Sequence, residues 1–426
     1  MSKKIKLAGM VAMLSMTFVS CSNDELKEAY QGEKITFTTK VGASRAQVIN
    51  GVADLESFRV HAEMVPKGDT PFIDHKLAIK ASEDNSTGIY KLESEIMWPD
   101  KVEEIEFWAY GPDKVGEPTH DGGTLHFSHF SPDKEPSEQK DLVVAYTKSK
   151  KTSGAVPLKF HHALSQVEVR AKCGDGNKHV KIKSAWIANL NSEGSLWYDS
   201  KASENNYMSW KFDSNPSKLL YGESFSDAIQ LSDTYQGLLA EYTNEEKGAK
   251  KGNSLMMLPQ DIVALNEDMD NKGVYIVMLC RIESHHKGSY INHGATDDAF
   301  VQDANDQSYH HHQLYPQPEG GAYDEDAYGY TCVPITAPDD KWKSGKKYIY
   351  KLDFFYNGRG GGVPPASSPG ITGGGILPPT DPELPDGGKE TPDIEPGHPV
   401  VQEPISFTVE VEEWTEAEDV ESPSMK

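Results

Sequence analysis

Residues 405–414 read Ile-Ser-Phe-Thr-Val-Glu-Val-Glu-Glu-Trp. Successive side chains of an extended chain point to opposite faces. Ile405, Phe407, Val409 and Val411 therefore share one face, and Ser406, Thr408, Glu410 and Glu412 share the other. That period predicts a strand with one buried and one wet face. Trp414 breaks the alternation, either as an anchor in a pocket or as the cap of a sheet. Upstream, residues 358–404 hold 11 Gly and 11 Pro in 47 positions. Such a stretch cannot bury a core and predicts a flexible, partly extended linker. A lone strand is not stable in water. The strand after the linker must therefore close a sheet of its own chain or add to a sheet of a neighbouring molecule.

The same period recurs throughout. Ile35-Thr36-Phe37-Thr38-Thr39 alternates with Ile35, Phe37 and Thr39 on one face, and residues 55–60, 105–110, 158–160, 167–171, 181–187, 274–280 and 348–355 read similarly. Turn formers separate these runs at Trp98-Pro99-Asp100, Gly111-Pro112-Asp113 and Cys173-Gly174-Asp175-Gly176. No long amphipathic helix is evident. Many short strands divided by Gly, Pro, Asn and Asp predict an all-β fold of antiparallel β-sandwiches. Residues 281–345 are polar, carry His285, His286 and His310 to His312 among many Asp and Tyr, and read mainly as long loops. His161-His162 reads as a strand edge, and Trp98, Trp108, Trp186, Trp197 and Trp210 as core.

The start of the chain points to export. Lys3, Lys4 and Lys6 precede the uncharged run 7–20 (LAGMVAMLSMTFVS), which is short for a membrane span and has the shape of a signal peptide. Ser20-Cys21 resembles the lipobox junction of bacterial lipoproteins, whose Cys is lipidated before cleavage; the competing reading is an ordinary secretory signal. Residues 22–28 (SNDELKE) form an acidic tether, either a surface-display signal or a plain solvated spacer. Removing residues 1–20 deletes three Lys and no acid and takes the formal charge from −24 to −27. So acidic a protein argues against nucleic acid as a partner. Cys173, Cys280 and Cys332 then remain, an odd, widely spaced set that is no disulfide framework. Cys280 with Cys332 is the one pairing to consider.

Catalytic patterns are absent: there is no G-x-S-x-G, H-E-x-x-H, C-x-x-C or P-loop, so an enzyme is not expected, and no cofactor. Asp268-Met269-Asp270-Asn271-Lys272-Gly273 begins like a calcium loop, but Lys272 and Leu279 stand where oxygen ligands are needed. Consecutive His310, His311 and His312 are a poor convergent metal set.

Several stretches together resemble the fimbrillin family of the Bacteroidales, the lipoprotein subunits of type V pili. They are 35–46 (ITFTTKVGASRA), 55–62, 97–112 (MWPDKVEEIEFWAYGP), 141–147, 156–172 (VPLKFHHALSQVEVRAK), 255–260, 342–354 and 407–414. The resemblance implies two tandem transthyretin-like β-sandwich domains. These would be residues 34–152 and 153–426, after a signal peptide 1–20 and a tether 21–33, with the Gly/Pro-rich insertion 358–404 before the terminal strand 405–414. It also implies a maturation route: the lipid on Cys21 carries the precursor to the outer membrane, and a trypsin-like Arg-specific protease cuts between Arg45 and Ala46. Loss of the strand bearing Ile35, Phe37 and Thr39 then opens a groove. A strand from another pilus subunit, here the one bearing Ile405, Phe407, Val409, Val411 and Trp414, fills that groove. Arg45 suits the role, because it lies in the small-residue loop 41–46 directly after the first strand; the competing reading is a solvated loop Arg that is never cut. The expected function is a stalk or tip subunit of a fimbrium serving adhesion. The alternative is a surface glycan-binding lipoprotein of a polysaccharide-uptake system, with Tyr309, Tyr315, Tyr323, Tyr328 and Tyr330 as its binding face.

Overall fold

A computed structural model of the chain describes residues 33–41, 55–82, 88–134, 136–151, 154–199, 208–214, 216–239, 254–264, 273–288, 300–316, 322–355, 360 and 405–413. Cys21, Arg45, Ala46, most of the Gly/Pro-rich stretch, residues 268–272 and Trp414 lie outside these residues.

Among the described residues every regular element is a strand apart from short 3-10 turns. The first part of the chain supplies β1 (Thr36–Val41), β2 (Ser57–Val65), β3 (Ile73–Lys80), β4 (Ile89–Leu92), β5 (Glu104–Gly111), β6 (Thr119–Asp121), β7 (Thr124–Phe130), β8 (Val143–Lys150) and β9 (Val156–His162). Seven of these close a barrel in the order β1-β4-β3-β2-β5-β8-β9. The alternating apolar positions fill it: Phe37, Phe58, Tyr90, Phe107 and Phe160 meet in one buried cluster. Tilted or edge-on ring contacts at 5.0–6.0 Å join them, the arrangement that aromatic quadrupoles favour.

The rest of the chain supplies β10 (Ser165–Cys173), β11 (Lys178–Asn191), β12 (Gly194–Asp199), β13 (Met208–Lys211), β14 (Lys218–Gln230), β15 (Gln236–Leu239), β16 (Leu255–Met257) and β17 (Tyr275–Lys287). It continues with β18 (Phe300–Gln302), β19 (Tyr309–Tyr315), β20 (Gly329–Pro334), β21 (Lys346–Phe354) and β22 (Ser406–Glu413). One sheet has the order β15-β10-β21-β22, with β16 also on β10; a second has the order β14-β11-β17-β19-β18, with β20 also on β17. Val167, Val169, Tyr350 and Leu352 of the first pack against Val180, Ile182, Ile276 and Met278 of the second. This is a sandwich with an apolar interior.

A further sheet, β13-β12-β7-β6, joins strands from both parts. It covers Trp108 and Tyr110 on the outside of the barrel with Leu125, Phe127, Leu196 and Tyr198. Gln139 Oε1 accepts a hydrogen bond from the Met256 backbone N–H at 2.7 Å across the same junction.

Several expectations need correction. Residues 281–345 are not loop throughout: those described include regular strands. They carry the end of β17, then β18, β19 and β20, hidden from a period-two reading because polar His, Gln and Tyr occupy both faces of β19. The sheets are not purely antiparallel: β1 runs parallel to β9, and β10 parallel to β21. The barrel is closed by β9, past the boundary expected between 152 and 153, and the joining sheet crosses that boundary again. Cys280 and Cys332 do not pair. Cys280 stands opposite Gly329 and faces the sandwich core, whereas Cys332 stands opposite Val277 and faces outward. Both thiols are free, and burial pushes them well above the usual thiol range. His161-His162 ends β9, which has a strand on each side, and buried His162 holds Asp141 at 2.8 Å. Trp98, Trp108 and Trp186 are buried as read, while Trp197 and Trp210 are half-buried.

Candidate functional site

The two strands singled out by the sequence occupy contrasting places. β1 lies between β4 and β9 and closes the barrel. Ile35, Phe37 and Thr39 all point inward and are buried, at 4%, 0% and 5% exposure. Phe37 meets Phe58 at 6.0 Å and Phe107 at 5.8 Å between ring centres. The Thr39 hydroxyl sits in this interior without a hydrogen-bond partner, which costs about 1–3 kcal/mol of desolvation.

Among the described residues β22 pairs with β21 alone, antiparallel, from Ser406 opposite Asp353 to Glu413 opposite Lys346. It is an edge strand of its own chain's sandwich. Ile405 is buried, Phe407 and Val409 are half-buried against the core, and Val411 is 43% exposed. The Phe407 ring lies 6.4 Å from that of Tyr350, and Lys351 pairs with Glu410 on the wet face. Apolar burial therefore fades along the strand.

One signal was present in the sequence and went unread. Residues 35–41 are ITFTTKV and residues 405–411 are ISFTVEV. The last strand repeats the first, with Ile405 for Ile35, Phe407 for Phe37, Thr408 for Thr38 and Val411 for Val41. Three positions differ, the first being Ser406 for Thr36. Val409 stands for Thr39, whose hydroxyl is buried without a partner. Glu410 stands for Lys40, whose position in β1 is opposite Lys159 in β9.

The polar cluster in 281–345 is a supported structural network. Arg281, fully buried, donates to Glu283 Oε1 at 2.6 Å and to the Ala327 carbonyl at 3.1 Å, and stacks under the Tyr323 ring at 4.7 Å. Tyr323 donates to the same Glu283 oxygen at 2.6 Å. Burial opposes ionisation of Glu283, but the Tyr323 and Arg281 hydrogen bonds and nearby positive charge outweigh it, leaving the carboxyl below its ordinary value. His311 Nε2 holds Asp303 at 2.9 Å, and its ring stacks on His285 at 4.6 Å. His310, His311 and His312 do not converge: His310 bonds the Gly288 carbonyl at 2.9 Å, while His311 lies on the opposite face of β19. The five tyrosines form no open platform. Tyr315 is 1% and Tyr328 9% exposed, and Tyr315 donates to the Tyr330 carbonyl.

A family model described as fimbrillin-like matches residues 44–359. No curated protein matches the sequence. Among solved structures, a fimbrial protein from Bacteroides vulgatus is similar at 13% identity, with 75% of this chain and 94% of that chain covered and a TM-score of 0.45. A protein provisionally described as a cell adhesion protein from Bacteroides uniformis is similar at 11% identity, covering 90% of this chain and 100% of that chain, with a TM-score of 0.43. A third, from Parabacteroides distasonis and described in the same way, gives 11% identity, 90% and 98% coverage and a TM-score of 0.44. Structural similarity at this level carries no argument of its own, but the family model spans most of the sequence, and the chain belongs to the fimbrillin-like family.

Proposed function

We propose that this protein is a structural, non-catalytic subunit of a type V-like pilus that serves adhesion and assembles by exchanging β1 for a neighbour's β22. The observation that carries the reading is the near-repeat of ITFTTKV by ISFTVEV, in which Val409 stands where Thr39 buries a hydroxyl without a partner. On this reading the chain is exported as a lipoprotein through Cys21 and displayed at the outer membrane. A trypsin-like Arg-specific protease then cuts between Arg45 and Ala46.

The cut separates β1 from the barrel chain. Departure of β1 leaves β4 and β9 as facing edges and uncovers the slot floored by Phe58, Phe107 and Phe160. Unpaired edges of this kind template another strand strongly. A β22 entering in the sense of β1 would put Phe407 in the place of Phe37, Ile405 in that of Ile35 and Val409 in that of Thr39. The donor is held only at one edge of its own sandwich, on a tether of 47 residues. In each part of the chain the first strand pairs in parallel with a late one, β1 with β9 and β10 with β21, which favours two tandem units of transthyretin-like topology.

The test uses the purified chain cut at Arg45 and a synthetic peptide of residues 405–414. Stoichiometric binding that displaces the 21–45 fragment is the expected result, and a peptide with Phe407→Asp should fail. A cut chain that keeps its first strand and ignores the peptide would refute strand exchange.

A further inference from the structure

The barrel carries a histidine cluster that strand exchange does not use. In the β2–β3 ladder Val60 is opposite Lys76 and Ala62 is opposite Ile73, so His61 faces two residues, Asp74 and His75. The extra residue is a β-bulge, a device that re-aims side chains. His75 adopts φ 45°, an uncommon conformation for a residue with a Cβ. The result is that consecutive Asp74 and His75 both turn towards His61. His61 Nδ1 is 3.5 Å and His75 Nε2 is 3.8 Å from Asp74 Oδ1.

His61 is 3% exposed, and neither of its ring nitrogens has a hydrogen-bond partner. An imidazole buried in this state is costly unless something else meets its lone pair. His75 is oriented from behind: its Nδ1 meets the hydroxyl of buried Tyr110 at 3.0 Å, which leaves Nε2 facing Asp74. Such outer-shell bonds fix the tautomer and direction of a ligating histidine. Asp74 is 68% exposed, giving the cluster an entrance from solvent. On the other side of His61 the His120 ring lies at 4.5 Å, with Glu63 3.4 Å from His120 Nδ1. Lys67 already holds that Glu63 at 2.7 Å, so its charge is engaged.

We propose that His61, Asp74 and His75 bind a divalent transition cation of the zinc class, pinning β2 to β3. Two imidazoles and one carboxylate form a donor set that zinc accepts with water in the remaining position, and that calcium and magnesium do not favour. Zinc ligands at about 2.0–2.2 Å in a tetrahedron lie roughly 3.3–3.5 Å apart. The separations to Asp74 are 3.5 and 3.8 Å, and all three ligand atoms lie within 4.8 Å of one another, so the set needs to contract to close on an ion.

Cobalt(II) titration of the full chain, stripped of metal, tests this. His311→Ala serves as the background so that the sandwich histidines make no metal set with Asp303. One saturable equivalent with the visible bands of low-coordinate cobalt, displaced by zinc, is expected. Zinc should also raise the thermal midpoint, and a chelator should reverse the rise. Asp74→Asn lies at the surface and leaves the fold intact; it and His75→Gln should each weaken binding about tenfold or more, whereas His120→Gln should leave it unchanged. Absence of a saturable spectrum, or full binding by Asp74→Asn and His75→Gln, would overturn the proposal. So would loss of binding only in His120→Gln, which would put the ion on the Glu63 side.

Discussion

β1 and β22 have almost the same sequence and quite different surroundings. In β1 the residues Ile35, Phe37 and Thr39 are all buried, whereas along β22 burial declines from Ile405 to exposed Val411. The number of neighbouring strands accounts for the difference. β1 has β4 on one side and β9 on the other, and its inner face looks into a closed barrel; among the described residues β22 has only β21. Pattern fixes which side chains share a face, and neighbours fix how deeply that face is buried. A strand locked on both sides leaves readily only if its covalent connection is cut. A strand at an edge can leave by local opening.

The largest effect should separate two phenylalanines. Phe37→Ala empties a fully buried site and should cost about 3–5 kcal/mol of stability in denaturant unfolding. Phe407→Ala, at a half-buried edge, should cost about 1–2 kcal/mol. Equal losses would break the comparison. Next, deletion of residues 401–426 should leave a folded protein that binds no cut barrel, and hydrogen exchange in the intact chain should be faster for the β22 amides than for those of β1. If both strands exchange together, β22 is not independently detachable.

A smaller effect should run in the opposite direction. Thr39→Val removes a buried hydroxyl without a partner and should stabilise the barrel by about 1 kcal/mol. It should also slow displacement of β1 by the 405–414 peptide, sharpening the idea that β1 is a provisional occupant. The smallest effect on the monomer should come from Val411→Asp, within about 0.5 kcal/mol because the side chain is already exposed. The same change in the peptide should abolish its binding to the cut barrel.

Much of the fold was legible because burial on one face writes itself into period-two alternation. The strands expected at 35–39, 105–110, 167–171, 348–355 and 405–411 all fall within observed strands, overhanging them by at most one residue at either end. The alternation fails where both faces are polar or both are covered. β19 carries His310, His311 and His312 in a row, with different faces meeting different partners, and so read as loop. The outside of the barrel at Trp108 and Tyr110 gave no hint of the sheet that covers it, since β6, β7, β12 and β13 come from both parts of the chain. The strands of the candidate site are legible in their alternation, whereas their mutual repeat shows only when residues 35–41 and 405–411 are set side by side, because alternation alone is common to every half-buried strand. The His61 cluster depended on a bulge, which no spacing in the sequence reveals: residues 61, 74 and 75 meet only because β3 slips against β2.

Electron cryomicroscopy of the assembled fibre would test strand exchange most directly. The account predicts that each barrel holds the β22 of an adjacent subunit between β4 and β9, with Phe407 against Phe58 and Phe107, and that the chain begins at Ala46. Fibres in which each barrel retains its own β1, with β22 still on its own β21, would contradict it.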